Sequence, residues 1–479
     1  MKHLFWIFFA LPVLSQMTWT DPIAIGTTAS TDSRVDMDPN IETDGKGNWV
    51  AVWRSSDDLG GSIGTDDDIL VSHSTDNGAS WSEPMPLNTN AATDSGFDNR
   101  PQVASDGIGN WVAVWHSTEN LSGGIGTDLD LFVSRSSDIG QTWTDPVPLN
   151  TTAAGDTSHD FDPEIKTDGV GVWVAVWYNT LDPGPTGDDA DLLVARSIDN
   201  GGTWSAPALL NTTGTLDAGS DFLPEIDTDG LGIWVVVWYS NDNLAGAAGV
   251  DHDIFYSRSE NHGLSWSSVS TLNSNAAIDT LDDTQPQLAT DRMGNWIAVW
   301  YSATNLDRGV LDSDILFARS TDNGEAWSDP AYLNTNALTD VGSDIIPQIV
   351  TDGNGAWLVS WQSSDTLDDT IGNDDDILFA ESTDIGVNWS DPSPLNTDAA
   401  TDSGNDWLPQ IAADGLGNWV AVWASSNSHG GTLGDDFDIL TASSPIPCSL
   451  PTTFFDTLPM WPEGATVSDL ILLVNQGCD

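Results

Sequence analysis

Positive charge is scarce in this chain. Its 479 residues hold 12 Lys and Arg against 73 Asp and Glu, a formal net charge of −61. So few cations leave no basic patch for nucleic acid or an anionic membrane. Cysteine is scarcer: Cys448 and Cys478 are the only two, which excludes a dense disulfide framework. Long apolar runs are also missing. Leu4–Leu14 follows Met1-Lys-His and precedes Ser15-Gln16. It is too short to span a bilayer and reads as the core of a secretory signal over residues 1–15, with Val13 and Ser15 as the small residues before cleavage. No other stretch reaches transmembrane length, so a secreted or cell-surface protein is expected. There the two cysteines are expected to form one disulfide, the alternative being two free thiols.

Such acidity is often a mark of disorder, but 24 Trp, most of them in register, argue for an ordered core. Seven runs of the form Trp49-Val-Ala-Val-Trp53 recur, starting at Trp111, Trp173, Trp234, Trp296, Trp357 and Trp419, at spacings of 62, 62, 61, 62, 61 and 62 residues. Each run lacks Gly and Pro and is apolar apart from Ser360, the pattern of a strand buried on both faces. A Gly-rich turn precedes each, as in Thr43-Asp-Gly-Lys-Gly-Asn48. Equal units that each bury a strand against the next make a ring or a solenoid.

One unit reads as four strands. The first follows a Pro (Pro101-Gln-Val-Ala104) and the second is the Trp run. The third is Asp-Ile-Leu-like (Asp130–Ser134), and the fourth runs from a lone Trp to Pro-Leu-Asn (Trp143–Asn150). The last unit stops after its third strand near Ser443, while Thr18-Trp19-Thr20-Asp21-Pro22 is a fourth strand without its first three. Joined, they complete a blade. The fold expected is therefore all-β: a seven-bladed β-propeller of four-stranded blades over residues 16–444, with the N-terminal strand closing the last blade. A short C-terminal tail, residues 445–479, follows, with a helix expected over Thr466–Asn475.

Between strands three and four lies Ser74-Thr-Asp-Asn-Gly-Ala-Ser-Trp81, repeated at Ser136–Trp143, Ser197–Trp204, Ser320–Trp327 and Ser382–Trp389, and at Ser259–Trp266 with Asn261 for Asp. This resembles the Asp-box (bacterial neuraminidase repeat) of the sialidase-like β-propeller superfamily. The resemblance covers nearly the whole repeat array. It implies that Asp76, Asp138, Asp199, Asp322 and Asp384 are structural and lie on the face opposite the substrate pocket. It also implies, for an enzyme, three Arg that clamp a sialic carboxylate, a Tyr/Glu nucleophile pair and an Asp acid/base. Arg34, Arg54 and Arg100 are the candidates for the clamp. Arg100-Pro-Gln-Val is akin to the Arg-Ile-Pro signature of that family, with Pro one place early. Arg135, Arg196, Arg258 and Arg319 precede the boxes on the other face. Tyr178, Tyr239 and Tyr301 each follow a second-strand Trp at the pocket end. The family's catalysts are usually six-bladed, and near-identical units lack the asymmetry a catalytic centre needs.

Carboxylates also repeat. Before strand three stand Asp66/Asp68, Asp128/Asp130, Asp189/Asp191, Asp251/Asp253, Asp312/Asp314, Asp374/Asp376 and Asp436/Asp438. Before strand one stand Asp32/Asp36, Asp94/Asp98, Asp156/Asp160, Asp217/Asp221, Asp279/Asp283, Asp340/Asp344 and Asp402/Asp406. Connectivity puts both sets on one face. Either each Asp caps its own turn through backbone N–H groups, or the sets converge on Ca²⁺, which takes six to eight oxygens at about 2.3–2.6 Å. The function expected is a secreted, monomeric module that binds glycan or another extracellular polymer and is stabilised by calcium. The alternative is an exo-α-sialidase-type glycoside hydrolase.

Overall fold

The computed structural model describes residues 17–26, 34–121, 123–155, 157–180, 189–211, 219–303, 306, 312–428, 433–434 and 436–444. The expected signal segment, the expected tail helix, Cys448 and Cys478 lie outside them. Seven antiparallel four-stranded sheets stand around a central channel. In blade 1 the strands are Asp36–Thr43, Trp49–Ser55, Asp68–Ser74 and Met85–Pro86, innermost to outermost. The innermost strands of blades 2 to 7 are Asp98–Ser105, His159–Thr167, Asp221–Thr228, Asp283–Thr290, Asp344–Thr351 and Asp406–Ala413. Among the described residues the one helical piece is a 3₁₀ turn at Leu244–Gly246.

The second strands show why the Trp run is invariant in spacing. Side chains alternate across a strand, so Trp49, Ala51 and Trp53 face one neighbour and Val50 and Val52 the other. The first set packs on Val420 and Val422 of blade 7. The second packs on Trp111, Ala113 and Trp115 of blade 2. The same Trp-face-to-Val-face contact repeats around the ring. The paired Trp residues of blades 1 to 6 are at most 1% exposed. At roughly 150–250 Å² each, burying one contributes on the order of 4–6 kcal/mol of transfer free energy.

The ring closes as the orphan Trp19 piece requires. Ile23–Ala24 pairs antiparallel with the third strand of blade 7, Asp438–Ser444. The backbone N–H of Thr20 donates to Ser443 O at 2.9 Å and that of Ile25 to Ile439 O at 2.9 Å. Trp19 sits edge-on to Phe379, ring centroids 6.0 Å apart. Thr397 Oγ1 donates to Asp21 Oδ1 at 2.9 Å, the bond that Thr89 makes to Asp145 and Thr335 to Asp391 within the continuous part of the chain.

Two strand assignments are corrected. The fourth strands pair over two residues only, such as Val147–Pro148 and Ser393–Pro394. Their Pro residues and brevity blunt the outer edges. The first strands begin before their Pro, which lies inside a register shift, as between Asn99 and Gln102. Each Pro is preceded by a residue of positive φ: Asp38, Arg100, Asp162, Leu223, Gln285, Ile346 and Leu408. Pro has no N–H for the ladder, so the bulge is where it fits. The bulge turns the preceding side chain towards the channel mouth.

Candidate metal centres and the channel mouth

The two faces of the ring use their carboxylates differently. On the lower face, Ser74 Oγ donates to Asp76 Oδ1 at 2.8 Å and accepts from Gly78 N at 3.0 Å. Ser80 donates to Asp76 through N at 2.9 Å and Oγ at 2.6 Å. Burial opposes ionisation of Asp76, but these bonds together outweigh it and hold the carboxyl below its ordinary range; Asp138, Asp199, Asp322 and Asp384 behave alike. The box glycine has a second duty. At Gly324, φ is +74° and a Cβ would lie 2.8 Å from Val235 Cγ2 of the preceding blade. Arg196, Arg258 and Arg319 donate to the carbonyls of His262, Asn323 and Ile385 in the next blade's hairpin. Asp residues in the turns between strands one and two cap backbone N–H groups, as Asp106 does for Ile108, Gly109 and Asn110. These are turn caps and blade staples.

On the upper face the repeated pairs do something else. Asn88, at the end of blade 1, donates from Nδ2 to Asp68 Oδ1 at 2.7 Å and to Asp98 Oδ2 at 2.7 Å, and accepts from Ile69 N at 3.1 Å. Trp115 Nε1 of blade 2 donates to Asp98 Oδ1 at 3.1 Å. The same Asn bridges Asp130 to Asp160, Asp191 to Asp221, Asp253 to Asp283, Asp314 to Asp344 and Asp376 to Asp406. At the seam Gly26 takes the place of this Asn. The Asn was not foreseen from the sequence, yet it stands 20 residues after one Asp and 10 before the other each time.

Beside four of these bridges three carboxylates gather, each set with ligand atoms within 4.8 Å of one another: Asp66, Asp68 and Asp94; Asp251, Asp253 and Asp279; Asp314, Asp340 and Asp344; Asp374, Asp376 and Asp402. They are clusters that could hold a metal ion. Asp98 and Asp406 face their clusters across the Asn. Asp128, Asp130 and Asp160 hold the matching positions between blades 2 and 3, while Asp156, Asp32 and Asp217 lie outside the described residues. Burial pushes Asp68 and Asp376 up to about 7, and Asp94 up to about 6, against the Asn bonds and with neighbouring carboxylates adding. Asp98, Asp283, Asp344 and Asp406 are raised well above their ordinary range by burial.

The channel mouth is where the blades stop being copies. Arg54 Nε meets Asp38 Oδ2 at 3.2 Å and its Nη1 meets Asp67 Oδ2 at 3.0 Å. Arg100 Nη1 lies 3.3 Å from the other oxygen of Asp38 and its Nε 3.6 Å from Asp162 Oδ1. Arg54 and Arg100 therefore converge, through Asp38. Arg34 does not join them; it donates to Ser56 O at 3.0 Å and lies 3.9 Å from Asp58. Tyr178 hydrogen-bonds Asp162, and burial with that carboxylate raises the phenol's pKa. His116 Nδ1 accepts from Asp162 N at 3.2 Å, and burial with Arg100 nearby pushes the imidazole down to about 3. From buried His116 a row of rings crosses blades 2 to 4 through half-buried Phe161, Tyr178, Phe222 and Tyr239 to His252, with successive centroids 5.2–5.7 Å apart. Tyr301 continues the framework position in blade 5, opposite Thr284. The mouth opens into a cavity of about 210 Å³. Deeper, Lys166 lies 3.9 Å from Glu42, with Glu164, Glu225 and Asp227 around it, and Gln287 Nε2 donates to Glu225 Oε1.

No protein-family model matches the chain, and no curated protein matches it. Among solved structures it is similar to a protein of unknown function from Dyadobacter fermentans, at 12% identity and TM-score 0.48, over 89% of this chain and 98% of that one. A Hadza microbial sialidase aligns at 17% identity and TM-score 0.45, over 81% of this chain and 75% of that one. A polysaccharide lyase, ulvan lyase, aligns at 14% identity and TM-score 0.49, over 87% and 94%. By strand order, blade number and seam the chain is a seven-bladed β-propeller, and in its six hairpins it resembles the sialidase-like propellers.

Proposed function

We propose that this is a secreted, sialidase-like propeller that binds hydroxyl-rich glycan at its upper channel mouth and takes calcium as the cation of its acidic clusters. The observation that carries the glycan reading is the mouth itself. On a frame of repeated blades, the residues before the seven Pro differ from blade to blade. There the paired planar groups of Arg54, Arg100, Asp38 and Asp162 stand beside the ring row from Phe161 to Tyr239. Planar polar groups that fix orientation next to apolar faces suit a sugar, which presents hydroxyl edges and C–H faces. A carboxylate clamp is less well served. The guanidinium groups of Arg54 and Arg100 already face Asp38, Asp67 and Asp162, and Arg34 is turned away. Calcium is favoured over magnesium by donor type, carboxylate and amide oxygens drawn from separate loops, which suits an irregular shell.

A glycan panel with calorimetry tests the reading. Binding of at least one neutral polysaccharide is expected, weakened at least tenfold in Tyr178→Ala and Arg100→Ala. Absence of binding across the panel would overturn it. The hydrolase reading draws on the Tyr178–Asp162–Arg100 contact. Turnover of a fluorogenic sialoside that Arg100→Ala abolishes would establish that reading instead.

A further inference from the structure

We infer that the acidic clusters are blade-to-blade staples: at least four equivalent calcium sites, each completed by groups from two consecutive blades. This deepens the calcium reading and is independent of the glycan one. Three observations carry it beyond a gathering of acids.

First, the clusters contain buried oxygens that nothing satisfies. Asp68 and Asp376 are 0% exposed, yet Oδ2 of each has no hydrogen-bond partner. The same holds for Asp66 Oδ2 and Asp94 Oδ1 in the first cluster, and for Asp374 Oδ2 and Asp402 Oδ1 in the last. Asn90 Oδ1 beside Asp94 is buried and unsatisfied as well. A buried acceptor without a partner is costly, and no Lys or Arg among the described residues pairs with these carboxylates. A cation is the group that satisfies several such oxygens together.

Second, the backbone makes room for the inward carboxylate. A Cβ at Gly64 would lie 2.2 Å from Asp66 Oδ1, and one at Gly372 2.2 Å from Asp374 Oδ1. Gly126 and Gly249 stand likewise before Asp128 and Asp251. In the first, second and fourth clusters a glycine two residues ahead of the Asp-x-Asp pair thus frees the space the carboxylate occupies.

Third, each cluster is bipartite. Asp66 and Asp68 enter the third strand of blade 1, and Asp94 lies on the link to blade 2. The Asn88 bridge carries the cluster to Asp98 and the Trp115 indole, both in blade 2. Between blades 6 and 7, Asn427 of blade 7 donates to Asp402 Oδ2 at 3.0 Å. An ion here ties the upper loops of one blade to the start of the next.

Calcium and, as a luminescent probe, terbium are titrated into chelator-treated full-length protein, read by calorimetry, native mass spectrometry and Trp-sensitised emission. Four or more calcium ions per chain are expected, with magnesium at equal concentration binding far more weakly. Asp94→Asn and Asp402→Asn are each isosteric and half-buried, and each should lower the stoichiometry by one while the apo protein still melts cooperatively. No saturable calcium binding would overturn the calcium reading itself. Calcium that binds once only, or a stoichiometry unchanged in both variants, would leave that reading standing and overturn the staples.

Discussion

Substituting Trp19→Ala tests the closure of the ring, with Trp143→Ala as its control. The two indoles hold the same place in their blades and are 9% and 8% exposed. Loss of a packed Trp side chain costs about 3–5 kcal/mol, roughly 3–5 °C of melting temperature for a chain of this size. The two should then diverge. Trp143 lies in continuous chain, tied to blade 2 on both sides. Trp19 lies on a segment held by a two-residue ladder, the Thr20–Ser443 and Ile25–Ile439 backbone bonds, and the bonds of Ser443 N to Thr20 Oγ1, Met17 N to Glu381 Oε1 and Thr397 to Asp21. Each such bond is worth about 1 kcal/mol net, against about 1–2 kcal/mol per residue for ordering the segment. Without the indole the balance tips, the strand peels away, and the edge of Asp438–Ser444 is exposed to other chains. Limited proteolysis should then cut within residues 17–26, and light scattering should show concentration-dependent association, in Trp19→Ala alone. Equal melting, proteolysis and scattering for both variants would refute the claim that this strand is the latch.

Gly324→Ala and Gly353→Ala separate backbone conformation from packing. Both have positive φ, +74° and +69°, but only Gly324 abuts a neighbour, Val235. Urea unfolding should show about 1 kcal/mol lost at Gly353 and about 2–4 kcal/mol at Gly324; equal losses would remove inter-blade contact from the explanation of the box glycine. In the channel, burial pushes Glu225 up to about 7 against Lys166 and Gln287, with Asp227 adding. An acid whose folded pKa is raised is penalised only once it ionises. The penalty is absent below the unfolded value near 4.5, grows up to about pH 7, and stays constant above. Glu225→Gln should therefore match the parent at pH 4 and be more stable at pH 8, by about 1–3 kcal/mol. A constant difference across that window would contradict the assignment. The glycan and calcium titrations described above complete the set.

Much of the ring was legible in the sequence because its causes are local or periodic. A five-residue run apolar at every position but Ser360 of the sixth copy is the pattern of a strand buried on both faces, and a 61–62-residue period points to stacking of like on like. The orphan Trp19 piece announced the seam because an unpaired third strand cannot remain an open edge. The hairpin Asp residues were legible because their partners lie two and four residues away. What required the tertiary structure involves groups that meet only after the ring bends. Arg54 and Arg100 converge on Asp38 because the x-Pro bulge, invisible in composition, turns Asp38 and Arg100 to the mouth; Arg34, before the first bulge, is left outside. The mouth's variation was present in the repeats but was masked by the likeness of everything around it. The difference between carboxylates that cap a turn and carboxylates that gather in clusters was also tertiary. Asp106 and Asp68 are both acids beside turns, but one lies within reach of backbone N–H groups. The other is carried into an interface where an Asn 20 residues away satisfies one oxygen and leaves the second without a partner. Sequence spacing determines which groups are available, and only the closing of blade upon blade decides which of their lone pairs remain without a hydrogen-bond partner.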